Sequence, residues 1–441
     1  MDRPLEVWGG HECTVNRIGG VWRDQTLMSG HHDRIEDLDL FAGLGLKALR
    51  YPVLWERTEI APGLFDWSWA DARLERLREL GIRPIVGLVH HGSGPAWTNL
   101  LDPGFVVGLA RFAGEAARRY PWVRDWTPVN EPLTTARFSA LYGHWYPHRR
   151  DERSFWLAVF HQLDAVRGAM RAIRAVNPEA RLIQTEDFGR TWGTEPCAAQ
   201  ADHDSARALM TWDVLTGGLT AIHPLRAQLD RLGLGARAED FVEDPCPPDV
   251  LGLNHYITSD RFLDHRLDRY PARVHGGNDR LAYADVEAVR VVDNLPDGWL
   301  GSLEGLWERY RLPIAVTECH LGCDVAEQMR WLTACWDAAV AARSKGIRVE
   351  AVTSWALLGS YDWDSLLTAS LGRYESGVFD LSDGRPRATP LADLVRRLAL
   401  DGAAGASEGA PGWWRTPDRL AYPGWSLPDR LKSTSRLSEE K

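Results

Sequence analysis

Two glutamates, each placed directly after a short apolar run, are the side chains of this chain best suited to chemistry. Glu131 follows the stretch Trp126-Thr127-Pro128-Val129-Asn130, and Glu318 follows the stretch Pro313-Ile314-Ala315-Val316-Thr317. Apolar runs of this length predict buried strands, and barrel enzymes keep their chemistry at the carboxyl ends of parallel strands. Either glutamate alone is equally well explained as a helix cap or as the partner of an arginine. As a pair at two strand ends they suit hydrolysis of a glycosidic bond, which needs one acid and one nucleophile or base.

Polar and aromatic side chains end the other apolar runs in the same way. They supply the candidate substrate-binding residues Arg50, His90, Asn130, Asn254, Tyr256 and Trp355. Each has an ordinary explanation when taken alone, such as a surface ion pair for Arg50, a satisfied core histidine for His90 or packing for Trp355. Their coincidence at the same end of successive strands favours one shared site over these separate explanations.

The elements that would position these residues are apolar runs that alternate with helical patterns. Eight such runs occur, at residues 6–10, 46–51, 84–90, 122–130, 180–185, 249–254, 314–318 and 349–355. Strands that alternate with helices predict a parallel sheet, and eight units match a (β/α)8 TIM barrel of the α/β class. We therefore expect residues 1–400 to form a single catalytic domain. Residues 259–297 are polar and irregular, which predicts a long loop over the active face.

The composition changes after residue 400, so we expect residues 401–441 to form a linker and a C-terminal tail. Residues 401–407 are rich in Gly and Ala, which is typical of a linker. Residues 411–427 carry Trp413, Trp414 and Trp425 among prolines, and we expect this stretch to dock on the barrel. The charged residues 432–441 are expected to be frayed. Docking of a partner protein is a further interpretation of the tail.

The composition of the whole chain restricts its class. The chain has 441 residues, of which 44% are hydrophobic and 25% charged, as in globular proteins with a large core. The net charge of -10 argues against a nucleic-acid partner. The 21 tryptophans favour carbohydrate binding slightly, because indole rings form platforms for sugars as well as cores.

We find in the sequence neither a secretory signal pattern nor an apolar run long enough to span a membrane. The six cysteines are scattered, as is typical of free thiols in a reducing compartment, so we expect a cytoplasmic protein with no membrane partner. Cys319 and Cys323 have the spacing of half a zinc site, but no second pair accompanies them. We therefore expect neither a metal nor a cofactor.

The motifs around these residues resemble those of the family 1 glycoside hydrolases over nearly the whole barrel. The matching stretches are residues 44–51 with 55–57, the histidine at 90, 127–132 (Thr-Pro-Val-Asn-Glu-Pro), 252–256 (Gly-Leu-Asn-His-Tyr), 317–318 (Thr-Glu) and 355–358 (Trp-Ala-Leu-Leu). The resemblance implies the same barrel, with the two catalytic glutamates on the fourth and seventh strands.

The resemblance also implies a role for each catalytic candidate. Glu318 would be the nucleophile, ionised and held by Arg50 and by the phenol of Tyr256. Glu131 would be the acid/base, whose pKa has to be raised so that a proton is available near neutrality.

Roles in sugar binding are implied in the same way. Asn130 would donate to the sugar 2-hydroxyl, a hydrogen bond that strengthens in the oxocarbenium-like transition state. His90 would bind another ring hydroxyl, and Trp355 would support the apolar face of the sugar. Asn254 belongs to the same set.

Several positions depart from the family pattern. Asn16 replaces a glutamine, residues 91–94 (His-Gly-Ser-Gly) replace a Trp-Asp-Leu stretch, and Cys319-His320 replaces Asn-Gly after the nucleophile. Asp362, followed by Trp363, stands where the family has a glutamate that binds the distal sugar hydroxyls. We assign Asn16, Asp362 and Trp363 to substrate binding, and the departures leave the identity of the sugar open.

The function that the sequence favours is that of a retaining, exo-acting β-glycosidase without a cofactor, similar to β-glucosidases and β-galactosidases. Its partner would be a small β-glycoside or an oligosaccharide. One alternative is an endo-acting β-glucanase or β-mannanase of the same clan, which would need an open cleft. Another is a barrel that binds sugars, or serves as a scaffold, without turnover; the presence of both carboxylates argues against it.

Overall fold

The computed structural model describes residues 4–296, 298–403 and 410–428, and within them eight parallel strands close into a barrel. The strands are β1 (Glu6–Gly10), β2 (Ala48–Pro52), β3 (Arg83–His90), β4 (Asp125–Asn130), β5 (Arg181–Asp187), β6 (Val250–Asn254), β7 (Ile314–Cys319) and β8 (Val349–Ser354). Each strand pairs with the next along the chain, and β1 also pairs with β8, which closes the barrel. The predicted (β/α)8 TIM barrel is confirmed.

A principal helix follows each strand and covers the outside of the barrel. These helices are α1 (Asp37–Ala42), α2 (Ser68–Glu79), α3 (Pro103–Arg119), α4 (Glu152–Val176), α5 (Gly235–Glu243), α6 (Gly298–Tyr310), α7 (Val325–Ser344) and α8 (Pro390–Asp401). Further helices lie in the connections at Gln25–Met28, Trp55–Thr58, Pro132–Ala136, Ala198–Ala208, Met210–Leu215 and Arg226–Arg231. Asp102, Asp151 and Asp324 cap α3, α4 and α7 by accepting a backbone N–H of the first turn. Such caps satisfy donors that a helix start leaves unpaired.

Two apolar cores hold the barrel together. The larger core lies between the helices and the outer face of the strands. A separate layer fills the barrel interior and consists of Trp8, Ala48, Ile85, Ile183, Val250, Ala315 and Ala351. The interior is therefore packed below the strand ends, so that substrate has access only from the end that carries the polar side chains.

The segment 259–297 is more regular than its composition indicates. Its strands Arg261–Asp264, His275–Gly277 and Ala282–Glu287 join Thr191–Gly193 in a four-stranded sheet. Phe262, Ala284 and Val286 are buried in a small core of their own together with Trp192 and Tyr270. The prediction of an irregular loop is wrong, because pairing with a strand from the preceding connection makes these short runs into a sheet. Residue 297 lies outside the described residues.

Residues 410–428 pack on the barrel, whereas much of the remaining C-terminal stretch is outside the described ranges. Trp413 and Trp414 pack against the large core, and Leu427 is buried in the small one. Helix α8 ends at Asp401. Because residues 404–409 and 429–441 are not described, the linker, the frayed end and the domain boundary at residue 400 stay predictions.

All six cysteines are free in the structure. None of the helices in the described ranges is long and apolar enough to cross a membrane.

Candidate active site

A cavity of about 980 Å³ opens at the carboxyl ends of the barrel strands. Glu131 and Glu318 both line it, and so do Tyr256, Trp355 and Trp363. Glu131 directly follows β4 and Glu318 lies near the end of β7. The strand-end rule thus brings the two predicted catalytic carboxylates into one cavity.

Glu318 is held by two side chains from other strands. Nη1 of Arg50, on β2, donates to Oε1 of Glu318 at 2.8 Å and to the carbonyl of Thr317 at 2.8 Å. The phenol of Tyr256 donates to Oε2. Burial raises the pKa of Glu318, and the Arg50 charge and the Tyr256 hydrogen bond oppose that rise. The contacts with Arg50 and Tyr256, in contrast to burial, favour the ionised form that a nucleophile needs.

Glu131 is positioned by a different set of contacts. It has a left-handed backbone (φ 44°) directly before Pro132, which begins the short helix Pro132–Ala136. Such a conformation costs about 1–3 kcal/mol and is found mostly at functional sites. Nδ2 of Asn254 donates to Oε1 of Glu131 at 2.5 Å, and the hydroxyl of Thr317 donates to the other end of the Asn254 amide at 2.6 Å. Asn254 therefore orients the acid/base candidate.

The surroundings of Glu131 favour its protonated form. Burial raises the pKa of Glu131 well above its ordinary value, and the nearby carboxylates of Glu318, Asp187 and Glu186 raise it further. No arginine or lysine is hydrogen-bonded to Glu131 among the described residues. One carboxyl of the pair is thus favoured as a proton donor and the other as an anion, which is the division of roles that glycoside hydrolysis requires.

A chain of hydrogen bonds joins the two halves of the site through Asn130. Nη2 of Arg50 donates to Oδ1 of Asn130 at 2.6 Å, and the hydroxyl of Thr185 donates to the same oxygen at 2.8 Å. Nδ2 of Asn130 lies 3.3 Å from Nε2 of both His90 and His91. Arg50 thus fixes the orientation of the Asn130 amide as well as the charge of the nucleophile.

Trp355 forms the floor of the cavity. Its indole stacks on the His90 ring with 5.6 Å between centroids and 8° between planes, and the Arg50 guanidinium lies 4.6 Å from the indole centroid. A Cβ on Gly10 would collide with the six-membered ring of Trp355, so the end of β1 needs a glycine here. His90 lies beneath the floor, beside a small cavity of about 20 Å³. Burial lowers the pKa of His90 well below its ordinary value, so it is neutral.

Comparisons with known proteins find likenesses in sequence and in fold. No family model matches the chain. A 6-phospho-beta-glucosidase from Dickeya chrysanthemi is 27% identical over 342 residues, which are 73% of this chain and 71% of that protein. A phospho-cellobiase from Klebsiella oxytoca is 24% identical over 315 residues, 66% of each chain. A family 1 β-glucosidase from Thermotoga maritima shares the fold with a TM-score of 0.70 at 18% identity, over 90% of this chain and 98% of that one.

The predicted resemblance to the family 1 glycoside hydrolases is confirmed, and the chain departs from the family pattern at several positions. The divergence is visible at Asp362 and Asn16, the two substituted positions that we assigned to sugar binding. The Asp362 carboxylate accepts the backbone N–H groups of Leu371 (3.1 Å) and Arg373 (2.9 Å), so it orders its own loop and does not line the large cavity. Asn16 is buried, does not line that cavity, and has no hydrogen-bond partner for either amide atom. Trp363, which follows Asp362, does line the cavity, and its ring lies edge-on to that of His91.

Two residues that we did not select from the sequence, His91 and Glu12, also line the cavity. Nε2 of His91 lies 3.7 Å from Oε2 of Glu131, and burial lowers the pKa of His91 to about 3, so the ring is neutral. Glu12 accepts the backbone N–H of Thr14 at 2.9 Å, and burial raises the pKa of Glu12 to about 7. Both follow the end of a barrel strand by one or two residues, and that signal was available in the sequence.

Glu186 and Asp187, at the end of β5, complete the acidic surroundings of the acid/base candidate. Glu186 accepts the backbone N–H groups of Leu133 and Thr134 at 2.8 and 3.2 Å, so it anchors the turn after Glu131.

Within the described ranges, no group of three or more His, Cys, Asp and Glu side chains is arranged to hold a metal ion.

Proposed function

We propose that the protein is a retaining, exo-acting β-glycosidase that hydrolyses terminal β-D-glycosides, with β-glucosides or β-galactosides as substrates. The observation that carries the proposal is the pair of buried carboxyl groups in one cavity, one beside an arginine and the other among carboxylates. A cavity that only binds sugars has no need to drive two carboxyl pKa values apart. This argues against a barrel without turnover.

In the first step, the Glu318 carboxylate would attack the anomeric carbon while Glu131 donates its proton to the glycosidic oxygen. The bond from the anomeric carbon to the leaving oxygen breaks, the alcohol departs, and a glycosyl ester on Glu318 remains. In the second step, Glu131, now a carboxylate, takes a proton from water, and that water attacks the anomeric carbon from the side of the departed alcohol. The ester bond between the anomeric carbon and Glu318 breaks, which releases the sugar and leaves Glu318 as a carboxylate. The two inversions give net retention and return both glutamates to their starting protonation states.

Asn130 and Trp355 would bind the sugar at the reacting centre. Arg50 and Thr185 occupy the Asn130 carbonyl oxygen, so a hydrogen bond to the 2-hydroxyl would come from Nδ2. That atom would then exchange one of its contacts with the two neighbouring histidine rings for the sugar. The Trp355 indole would carry the apolar face of the ring. His91 replaces a tryptophan of the family pattern and lies near Glu131, so it would contact the hydroxyls on that side as a neutral hydrogen-bonding ring.

An unphosphorylated substrate fits the charges of the cavity better than a phosphorylated one. Carboxylates outnumber arginines among the described lining residues, and three of those arginines already pair with lining carboxylates: Arg137 with Asp187, Arg207 with Asp204, and Arg261 with Asp285. A sugar phosphate carries close to two negative charges at neutral pH and would be repelled by an acidic wall. We therefore infer that the substrate differs from those in the names of the two bacterial relatives.

The exo mode is supported by the small sheet beside the cavity. Its residues Arg261, Leu263, Asp285 and Glu287 line the cavity and form a wall there. An endo-acting enzyme would need an open cleft. The cytoplasmic location expected from the cysteines stays a prediction.

The test is hydrolysis of a panel of nitrophenyl β-glycosides, namely glucoside, galactoside, fucoside, xyloside and glucoside 6-phosphate, with NMR of the first-formed sugar. We expect turnover of an unphosphorylated hexoside and release of the β-anomer, and no turnover by folded Glu318→Gln. An α-anomer as first product would refute retention, since it requires the wider carboxyl separation of an inverting enzyme. Preference for the 6-phosphate would refute our substrate class. A folded wild-type protein inactive on the whole panel and on polysaccharides would refute the glycosidase itself, and cleavage of polysaccharides alone would refute the exo mode.

A further inference from the structure

The C-terminal stretch 412–427 is built into the top of the barrel through defined hydrogen bonds. The guanidinium of Arg419, itself buried, donates to the carbonyls of Val289 and Asp293 at 2.7 Å each. The backbone N–H of Trp425 donates to the carbonyl of Val291 at 2.9 Å, and the N–H of Asp293 donates back to Trp425 at 3.0 Å. These bonds join the stretch to residues 289–293, directly after the small sheet.

Other contacts secure the two ends of this stretch. Near its start, the backbone N–H of Trp413 donates to Oε2 of Glu327 in the first turn of α7 at 3.2 Å. Near its end, Leu427 donates its N–H to Oδ1 of Asn294 at 2.7 Å and accepts the Asn294 amide at 3.1 Å. A segment held at both ends and in the middle keeps its side chains in place, which a binding wall requires.

Four side chains of this stretch line the same cavity as the catalytic glutamates. They are Trp413, Thr416, Asp418 and Arg419. The Trp413 ring lies under the Arg290 guanidinium at 4.0 Å, and the Thr416 hydroxyl donates to the Trp413 carbonyl at 2.9 Å. The barrel strands supply the groups around the reacting carbon, whereas this stretch contacts elements that lie beyond the strand ends. A substrate held between Glu131 and Glu318 would therefore meet it with the part of the molecule on the far side of the scissile bond.

We propose that residues 413–419 form the wall of the leaving-group site and that Trp413 selects leaving groups with a ring, either a second sugar or an aryl group. An indole offers an apolar surface with a polar edge, which suits the apolar face of a sugar as well as an aromatic ring. The inference rests on the proposed glycosidase activity. It assigns substrate selection to a stretch that follows the last barrel helix.

The test compares Trp413→Ala with Trp414→Ala on substrates that share one glycone and differ in the leaving group: methyl, nitrophenyl and a second sugar. Trp414 is the matched control, because it packs edge-on against Trp331 at 5.0 Å and does not line the cavity. We expect Trp413→Ala to lower kcat/KM about tenfold for the nitrophenyl glycoside or the disaccharide and to leave the methyl glycoside nearly unchanged. Trp414→Ala should affect the three substrates in parallel.

Asp418→Ala is a second variant that leaves the packing intact, since Asp418 is exposed. We expect a smaller loss that is confined to the disaccharide, whose hydroxyls can bind a carboxylate. For Trp413→Ala, a loss of kcat/KM with the nitrophenyl glycoside only would identify an aryl leaving group. A loss with the disaccharide only would identify a sugar as the leaving group. If the wild type is active and Trp413→Ala is equally affected on all three substrates, or on none, the inference is refuted while the glycosidase stands. A wild type that hydrolyses none of the three refutes the proposed function itself.

Discussion

Replacing Arg50 by methionine is the sharpest test of how the site divides its two carboxyl groups. The substitution removes the only cation that is hydrogen-bonded to Glu318 among the described residues, at 2.8 Å. Two unit charges about 4 Å apart attract by about 4 kcal/mol at an effective dielectric constant of about 20. The remaining Tyr256 hydrogen bond and water that enters the site offset part of this. Shifts of about 1–3 pKa units are usual for a carboxylate beside an arginine, at about 1.4 kcal/mol per unit.

The sign follows from which form the arginine stabilises. Arg50 favours the ionised carboxylate and so lowers the pKa of Glu318; its loss raises that pKa. Since Glu318 has to be ionised to attack, the acidic limb of the profile of kcat/KM against pH should move up by about 1–3 units in Arg50→Met. The assay is hydrolysis of a nitrophenyl glycoside between about pH 4 and pH 9, with Arg50→Lys as the charge-retaining control, which should shift less. An Arg50→Met protein that is folded and active with an unmoved acidic limb would show that Arg50 does not govern the nucleophile.

Two further predictions separate the roles of the remaining residues. Glu131→Ala should lose far more activity on substrates with poor leaving groups than on activated aryl glycosides, and added azide should yield a β-glycosyl azide. Glu318→Ala should yield the α-azide instead. NMR distinguishes the two products, and identical products would mean that the roles are misassigned. Asp362→Ala should lower kcat/KM for all glycosides in parallel and reduce stability by about 3 kcal/mol, because a charged acceptor of two backbone N–H groups is lost. Thermal unfolding and a comparison of hexosides with a xyloside measure this, and a loss confined to hexosides would return Asp362 to sugar binding.

The barrel could be predicted from the sequence because the patterns that indicate its strands are local. An apolar run followed by a polar residue marks the end of a buried strand, and parallel strands in a closed barrel present these ends at one face. That rule alone places Glu131, Glu318 and Tyr256 in one cavity. It also applies to Glu12, two residues after β1, which lies outside the motifs that carry the family resemblance and was therefore not selected.

What the sequence could not indicate depends on partners that are distant along the chain or on backbone conformation. The strand Arg261–Asp264 pairs with Thr191–Gly193, about 70 residues earlier, and neither run is long enough to be recognised alone. Asp362 matches the family by position, yet its backbone is left-handed (φ 56°) and its carboxylate is taken by N–H groups nine and eleven residues later. The position of the motif therefore located the loop, but it did not indicate that the Asp362 carboxylate accepts hydrogen bonds from the backbone of its own loop.

The contact between Gly10 and Trp355 has a consequence for how this site can vary. The end of β1 lies so close to the indole that a single methyl group at position 10 would displace the surface on which a sugar would rest. Substitutions at positions 10 and 355 therefore have to be made together, although the two positions are 345 residues apart along the chain. A mutant library that samples them independently would contain mostly proteins without a floor, whereas one that pairs a larger residue at 10 with a smaller ring at 355 would explore cavities of a different depth.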